Sequence, residues 1–249
     1  DGTAINARAM LDPAPAPCGR TLTVLATVPP QHMYGLELSV LLPMRSPVAV
    51  ATGQPLFPAD VVAALHTLPE PRALVTTPAH LRALLGSSLP LPTVRRLYSA
   101  TAPLSQPLAL AGEAAFGGDL VEIYGCSEVG SVARRATAHG DVWQVFRGLT
   151  LQPVPDTSEH GVSYRVSAAH LPSAPELQDA LEILAPGQFR LRGRAGDLLN
   201  IAGKRGSLAQ INQRLLDVPG VRDAVAFQPS DGRLAAIVVA ADTVRRESI

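Results

Sequence analysis

The stretch Leu120-Val121-Glu122-Ile123-Tyr124-Gly125-Cys126-Ser127-Glu128-Val129-Gly130 decides the fold of this chain. Its apolar, β-branched first half predicts a buried strand, and Gly125 lets the backbone turn after it. A thiol, a hydroxyl and a carboxylate then follow, at the kind of strand end where open α/β sheets bind ligands. Two interpretations are open. Either Ser127 caps a helix with Glu128 in its first turn, or these side chains belong to a nucleotide and magnesium site.

The composition excludes several classes of protein. Hydrophobic residues make up 47% of the 249 residues, which excludes a disordered chain and allows a sizeable core. The 21 basic residues balance the 21 acidic ones, so no charge excess favours nucleic acid or an anionic membrane surface. No apolar run reaches the roughly 20 residues of a membrane helix. Cys18 and Cys126 are too few for a disulfide framework, and cysteines that stay reduced indicate a cytoplasmic protein.

Strands and helices alternate before the quoted stretch. Short apolar runs occur at residues 21–27, 47–50, 73–76 and 94–99, and helical patterns lie between them and at 105–116. This alternation predicts an α/β fold, with a mostly parallel sheet and flanking helices. After Gly130, short strand candidates separated by turns predict a small β-rich, barrel-like unit. The pattern from Ser207 onward predicts the start of an α+β C-terminal domain.

The same patterns divide the chain into segments. They are a helix remnant and linker at 1–20, an α/β subdomain at 21–130, a β-rich subdomain at 131–192, a hinge at 193–198 and a partial α+β domain at 199–249. The basic, glycine-punctuated run at 190–197 is typical of a linker. The start, Asp1-Gly2, is neither an initiator methionine nor a signal peptide, so we expect the chain to begin inside a longer protein.

Two other strand ends carry candidate binding residues. His32 and Tyr34 follow the first strand, and the small residues Ala100, Thr101 and Ala102 follow the fourth. Each group has an ordinary alternative, a loop histidine beside a helix start or a tight connection to the next helix. Because the carboxyl ends of parallel strands face one crevice, the three strand ends together predict a binding cleft.

Two charged residues further along the chain are additional candidates. Asp179 precedes a strand and could accept ribose hydroxyls, with a solvated turn carboxylate as the alternative. Arg194 could offer a planar fork to a phosphate or carboxylate, with a surface linker charge as the alternative. The chain has no Gly-x-Ser-x-Gly elbow, no Walker phosphate loop and no Gly-x-Gly-x-x-Gly at a helix start, so hydrolase and dinucleotide interpretations lack their signatures.

Taken in order, five segments resemble motifs of the adenylate-forming superfamily, which includes acyl- and aryl-CoA synthetases, adenylation domains and luciferases. The segments are residues 32–35, 99–104, 124–128, 193–205 and 215–225. Within the superfamily, residues 28–35 and 200–205 look most like bacterial ligases of aryl polyene or xanthomonadin-type pigment pathways. The resemblance implies an AMP-forming ligase that activates an aryl or acyl carboxylate with ATP and Mg²⁺. The acyl group would then pass to CoA or to an acyl carrier protein.

The resemblance also implies a role for each matching residue. Tyr124 would stack on adenine, Ser127 would contact the α-phosphate and Glu128 would hold Mg²⁺. The other implied roles are the adenine loop (Ala100, Thr101, Ala102), ribose and nucleotide binding (Asp179, Arg194), the acyl pocket (His32, Tyr34, Gly125, Cys126) and the hinge (Gly196, Asp197).

The chain departs from the family pattern at several points. The phosphate loop would lie upstream of Asp1 and the catalytic lysine beyond Ile249, so we expect this chain to be inactive by itself. Gly196 stands where the hinge aspartate is usual, and Leu177-Gln178 replaces Thr-Gly before Asp179. A non-catalytic module of the same fold that binds an adenylate or a carrier protein is therefore an alternative, as is a scaffold indifferent to nucleotide.

Overall fold

Parallel strands form one half of the central sheet. The computed structural model of the protein describes residues 20–154, 163–194, 198–201, 204–229 and 233–240. The parallel strands are β1 (Leu22–Ala26), β2 (Val48–Val50), β3 (Arg72–Thr76), β4 (Arg96–Ser99) and β5 (Asp119–Cys126). They lie in the order β2-β1-β3-β4-β5, and each neighbouring pair is parallel. The predicted mostly parallel α/β sheet is confirmed, and its carboxyl ends share one edge.

Helices connect these strands. They are α1 (Met33–Leu36), a π-helical turn (Glu37–Leu41), α2 (Leu42–Arg45), α3 (Pro58–Thr67), α4 (Pro78–Leu85) and α5 (Gln106–Phe116). At the start of α5, Leu108 N–H donates to Ser105 Oγ at 3.3 Å. Gly117 ends the same helix with φ +70°, a conformation that costs glycine little. Pro78 opens α4, as its fixed φ favours at the first helical position.

The sheet has a buried cluster on each face. On one face, Leu25, Leu74 and Leu97 pack against α3, α4 and α5. On the other face, strand residues such as Val24 and Val75 pack with the helical segment at 33–42. Successive strand residues therefore point to opposite cores, because side chains alternate along a strand. Both faces are apolar, as expected for parallel strands covered by helices.

The quoted stretch forms a strand and a tight turn, not a strand and a helix. β5 ends at Cys126, residues 127–129 turn, and β6 (Gly130–Arg135) returns antiparallel to β5. The interpretation in which Ser127 caps a helix is therefore wrong. A Cβ on Gly125 would lie 2.2 Å from the Gly130 carbonyl oxygen, and Gly130 itself has φ +85°. The two glycines allow this close return of the backbone.

Antiparallel strands complete the sheet after this turn. They are β6, β7 (Trp143–Val145), β10 (Asp179–Ala185) and β11 (Gln188–Arg194), in the order β10-β11-β7-β6-β5. Only β8 (Leu149–Val154) and β9 (Ser163–Ala168), among the described strands of this region, pair as a separate sheet. The predicted strands are thus present, but most of them extend the large sheet across residue 130. The tight turn explains this continuity, because it returns the chain directly alongside β5.

Residues 190–194 belong to a strand, so their predicted linker character is wrong. Phe189 is fully buried and Leu191 packs against the same core. Arg190 and Arg192 alternate with them and form ion pairs with acidic side chains, among them Glu182. The two-residue period of a strand was concealed in the sequence by the arginines and glycine of this run.

A small α+β unit follows. It contains β12 (Leu198–Ile201), β13 (Lys204–Ser207), α6 (Leu208–Leu216), β14 (Val221–Phe227) and β15 (Ala235–Ala240). β12 pairs with β13, and β14 pairs with β15, both antiparallel. Leu215, Val221, Ala224 and Ala226 form its buried cluster. The described residues include no helix that is both long and apolar enough to cross a membrane.

Candidate functional site

One cavity of about 650 Å³ lies at the carboxyl edge of the sheet. It opens where the chain leaves β1, β4 and β5. Predicted site residues that line it are His32, Tyr34, Ala100, Thr101, Gly125, Cys126, Ser127, Glu128 and Asp179. The structure therefore brings the three predicted strand ends and Asp179 to one place.

The other predicted site residues are not among those that line the cavity. Ala102 is exposed beyond the cavity wall. Arg194 is the last residue of β11, and its role as a nucleotide ligand stays a prediction. The predicted hinge residues Gly196 and Asp197 lie outside the described residues. The boundaries predicted for the hinge therefore also stay predictions.

Tyr124 and Asp179 are joined directly. The Tyr124 hydroxyl donates to Asp179 Oδ2 at 2.7 Å, which connects β5 to the start of β10. The Tyr124 ring packs with the rings of Trp143 and Phe189, each 5.7 Å away between centroids. Asp179 lines the cavity, whereas Tyr124 is not among the residues that line it. This bond orients a carboxylate that faces the cavity, which is what recognition of sugar hydroxyls needs.

Residues that follow β1 form another part of the cavity wall. His32 Nδ1 accepts a hydrogen bond from Tyr34 N–H at 3.3 Å and so caps α1. Tyr34 is buried, and burial raises the pKa of its hydroxyl well above the ordinary value. Tyr34 therefore presents a neutral aromatic surface. A Cβ on Gly35 would lie 2.1 Å from the Pro29 carbonyl oxygen, so α1 packs closely on the preceding loop.

Cys126 lines the cavity and carries a thiol with a raised pKa. Burial, followed by a hydrogen bond with Glu128, raises the pKa of Cys126 to about 11. Thiolate is the nucleophilic form of cysteine, so a thiol with this pKa is protonated at neutral pH. Cys126 therefore supplies a small side chain to the wall and no covalent chemistry.

The loop after β4 carries an unusual backbone conformation beside the cavity. Thr101 has φ +78°, in the left-handed region that β-branched residues rarely adopt. Such strain persists only where the surroundings hold it, and it is frequent at ligand sites. Glu122 supplies one such restraint, because its Oε1 accepts Leu104 N–H at 3.2 Å.

Glu122 is the centre of a buried polar network that the sequence analysis did not identify. It is 3% exposed, and its Oε2 accepts hydrogen bonds from Arg135 Nε at 2.6 Å and Thr137 Oγ1 at 2.5 Å. The Arg135 guanidinium lies 4.5 Å from the centre of the Trp143 ring. Burial raises the pKa of Glu122, and Arg135 opposes that rise. A single carboxylate thus connects β5, the end of β6 and the loop before α5.

Glu37 and Ser131 also line the cavity and were missed. The signal available for Glu37 was a lone charge within the apolar run at 36–42. Ser131 follows the quoted stretch directly, but its sequence context resembles any polar position in a strand. Neither residue belongs to a short motif, and their contact joins positions 94 apart in the chain.

Glu128 is the candidate magnesium ligand. The described part of the chain contains no group of three or more His, Cys, Asp or Glu side chains able to hold a metal ion. Mg²⁺ commonly uses one or two carboxylates together with phosphate oxygens of its substrate. Glu128 at the cavity fits that arrangement, in which a nucleotide supplies the remaining oxygens.

Comparisons with known proteins agree with this geometry. A family model described as AMP-binding enzyme matches residues 2–159, so the chain belongs to the AMP-binding enzyme family. The 4-coumarate–CoA ligase of Rhodobacter capsulatus is 32% identical over 227 residues, which are 91% of this chain and 54% of that protein. The chain thus spans about half the length of this relative.

Solved structures share the fold at low identity. The anthranilate CoA ligase AuaEII, in complex with anthranoyl-AMP, superposes with a TM-score of 0.76 at 16% identity, covering 99% of this chain and 54% of that one. ATP-bound MatB from Rhodopseudomonas palustris superposes with a TM-score of 0.73 at 19% identity, covering 97% and 54%. These matches establish a common architecture with adenylate-forming ligases.

Proposed function

We propose that the protein carrying this chain activates an aryl or acyl carboxylate with ATP, as an acyl-adenylate, and passes the acyl group to a thiol. The cavity carries this proposal, because it gathers the Ser127 hydroxyl, the Glu128 and Asp179 carboxylates and the Tyr34 ring at one sheet edge. Membership of the AMP-binding family supports the nucleotide, and the coumarate ligase supports an aryl carboxylate. No covalent protein nucleophile is required, since positioning and charge neutralisation can supply the rate enhancement.

The role proposed for each residue follows from its place in the cavity. Ser127 and Glu128 are exposed on the turn after β5, where a hydroxyl can donate to a phosphate and a carboxylate can bind Mg²⁺. Mg²⁺ at Glu128 would neutralise phosphate charge. Asp179 would accept the ribose hydroxyls, and Tyr124, which donates to Asp179, would hold that carboxylate in place. Ala100 and Thr101 would border the adenine, while the predicted contacts of Tyr124 and Ala102 with the adenine would need these residues to reach the nucleotide from outside the cavity lining.

The remaining wall would hold the carboxylate substrate. His32, Tyr34, Gly125 and Cys126 all line the same cavity. Within the family, we propose an acid of the aryl polyene or xanthomonadin type, on the resemblance of residues 28–35 and 200–205. The acceptor thiol would belong to an acyl carrier protein or to CoA. A cytoplasmic location is part of the same proposal.

Carboxylate-dependent exchange of pyrophosphate into ATP tests the function. The assay uses the full natural polypeptide that carries this sequence, with aryl and acyl acids supplied in turn. We expect exchange only when the correct acid is present, and a loss of at least about 100-fold in Glu128→Ala. Glu182→Ala is the matched control, because the Glu182 side chain is 41% exposed, pairs with Arg192 and does not line the cavity.

Two results would contradict the assignment. Exchange that survives Glu128→Ala unchanged would remove Glu128 from the site. Tight binding of a non-hydrolysable acyl-adenylate analogue without exchange by any acid would instead identify a non-catalytic binding module. Calorimetry on the same preparation measures that binding.

A further inference from the structure

Glu37 is a buried carboxylate in an apolar part of the fold. It is 0% exposed and begins the π-helical turn that follows α1. Its neighbours Leu36, Leu38 and Leu41 are apolar. π-Helical turns within helices are rare and frequently occur at functional sites. The Glu37 side chain is one of those that line the cavity.

Both oxygens of Glu37 bind one residue of β6. Oε1 accepts Ser131 N–H at 3.0 Å, and Oε2 accepts the Ser131 hydroxyl. Ser131 lies where β5 and β6 pair irregularly, since Gly125 pairs with Ser131 and Tyr124 pairs with Ala133. Bulges of this kind re-aim side chains beside active sites, and they disturb the regular ladder. Glu37 thus binds β6 directly at the bulge.

Stability does not account for a carboxylate at this position. Glu122 is buried to a similar degree and has Arg135 as its cation, whereas the described residues give Glu37 no ion pair. Burial raises the pKa of Glu37, and the two bonds from Ser131 oppose that rise. An apolar side chain at this position would avoid the cost of burying a polar group. The role of the Glu37 carboxylate therefore concerns the position of Ser131, the residue that it binds.

We propose that Glu37 is a positioning residue that acts through Ser131. By holding the start of β6, Glu37 fixes the position of the turn that carries Ser127 and Glu128. This turn is thereby held in place relative to α1 and its capping residue His32. The acyl side and the nucleotide side of the cavity are thereby kept at one separation. The consequence for turnover rests on the proposed function, because a misplacement of about 1 Å in such a site can lower the rate about 100-fold.

Amide hydrogen exchange tests the contact without requiring activity. In Glu37→Leu, we expect the amides of residues 127–133 to exchange about 10-fold faster or more, because both hydrogen bonds to Ser131 are lost. Residues 22–26 in β1 serve as the internal reference and should not change. Glu37→Gln keeps an acceptor for Ser131 N–H and should restore most of the protection. Ser39→Ala is the matched control on the same π-helical turn, since the buried Ser39 hydroxyl has no partner among the described residues.

Pyrophosphate exchange then measures the effect on turnover. At saturating ATP and acid, we expect kcat to fall about 10-fold to 100-fold in Glu37→Leu. The KM for ATP should stay within about threefold, since the groups that touch the nucleotide are retained. Glu37→Gln should recover most of kcat. The double variant Glu37→Leu with Ser131→Ala should be no slower than Glu37→Leu alone, because the two changes remove the same contact.

Each opposite result overturns the proposal. Equal protection of residues 127–133 in wild type and Glu37→Leu would show that Glu37 does not hold β6. Faster exchange that extends to residues 22–26 would show a general loss of stability instead. An unchanged kcat in Glu37→Leu would exclude a positioning role in catalysis. If wild type activates no acid, the proposed function fails, and amide exchange still decides whether Glu37 holds the turn.

Discussion

Removal of the Glu122 carboxylate should destabilise the fold more than removal of an exposed one. Glu122→Ala leaves the Arg135 guanidinium without its carboxylate, and the Arg135 side chain is only 16% exposed. It also removes the acceptor for Thr137 Oγ1 and for Leu104 N–H. The substitution therefore affects β6 and the loop before α5 at once.

The magnitude follows from these lost contacts. Breaking a buried ion pair by removing one partner costs about 3–5 kcal/mol, because a buried charge is left uncompensated. The Thr137 hydroxyl and the Leu104 N–H also lose their acceptor, but this adds little to the cost, since water or small shifts can satisfy these two donors. We expect the free energy of unfolding to fall by about 4 kcal/mol. Glu182→Ala, which removes exposed pairs with Arg190 and Arg192, should cost less than about 1 kcal/mol.

Urea unfolding provides the measurement. The chain has one tryptophan, and Trp143 is 2% exposed, so its fluorescence reports the loss of this core. A second readout, circular dichroism, separates a changed midpoint from a changed Trp143 environment. The double variant Glu122→Leu with Arg135→Met should be much closer to wild type than Glu122→Ala. A loss below about 1 kcal/mol in Glu122→Ala would refute a structural role for the network.

Two further predictions concern the cavity wall. Thr101→Gly should raise the free energy of unfolding by about 1 kcal/mol in urea unfolding, since glycine tolerates φ +78°, whereas Ala102→Gly should lower it by about 0.5 kcal/mol. A loss in both variants would contradict strain at Thr101. In a Cys18→Ser background, the rate of Cys126 alkylation by iodoacetamide should rise with pH toward a midpoint near 11, where the thiolate forms. Glu128→Gln should lower that midpoint, and a wild-type midpoint near 8.5 would contradict the raised pKa.

Local patterns in the sequence were sufficient to predict the parallel half of the sheet and the helices that connect its strands. Ser105 and Gly117 mark the ends of α5, and Pro78 marks the start of α4, because caps depend on residues close in the chain. The strand ends could be grouped at one edge by the parallel rule, which needs no side-chain contacts. The grouping of His32, Ala100 and Ser127 around one cavity follows from it.

The antiparallel half could not be derived in the same way. Strands after Gly130 looked like a separate unit, since a sequence shows where strands occur but not which edge they join. Residues 190–194 looked like a linker because arginines occupy the exposed positions of β11. Glu37 and Glu122 escaped notice because their partners are distant in the chain, at Ser131 for the first and at Leu104 and Arg135 for the second. A buried carboxylate is recognised by what it binds, and that is a tertiary property.

These two carboxylates hold the same hairpin from different sides. Glu37 binds β6 at its first residues, and Glu122 binds it at Arg135, its last residue. The turn that joins β5 to β6 carries Ser127 and Glu128, which line the cavity and are exposed. Exposed polar side chains lose entropy when they bind a ligand, so a site gains most when the backbone beneath them is already fixed. Buried contacts of the hairpin therefore provide the order that its exposed tip requires, so that a short turn can hold the Ser127 hydroxyl and the Glu128 carboxylate in the places that the proposed function needs.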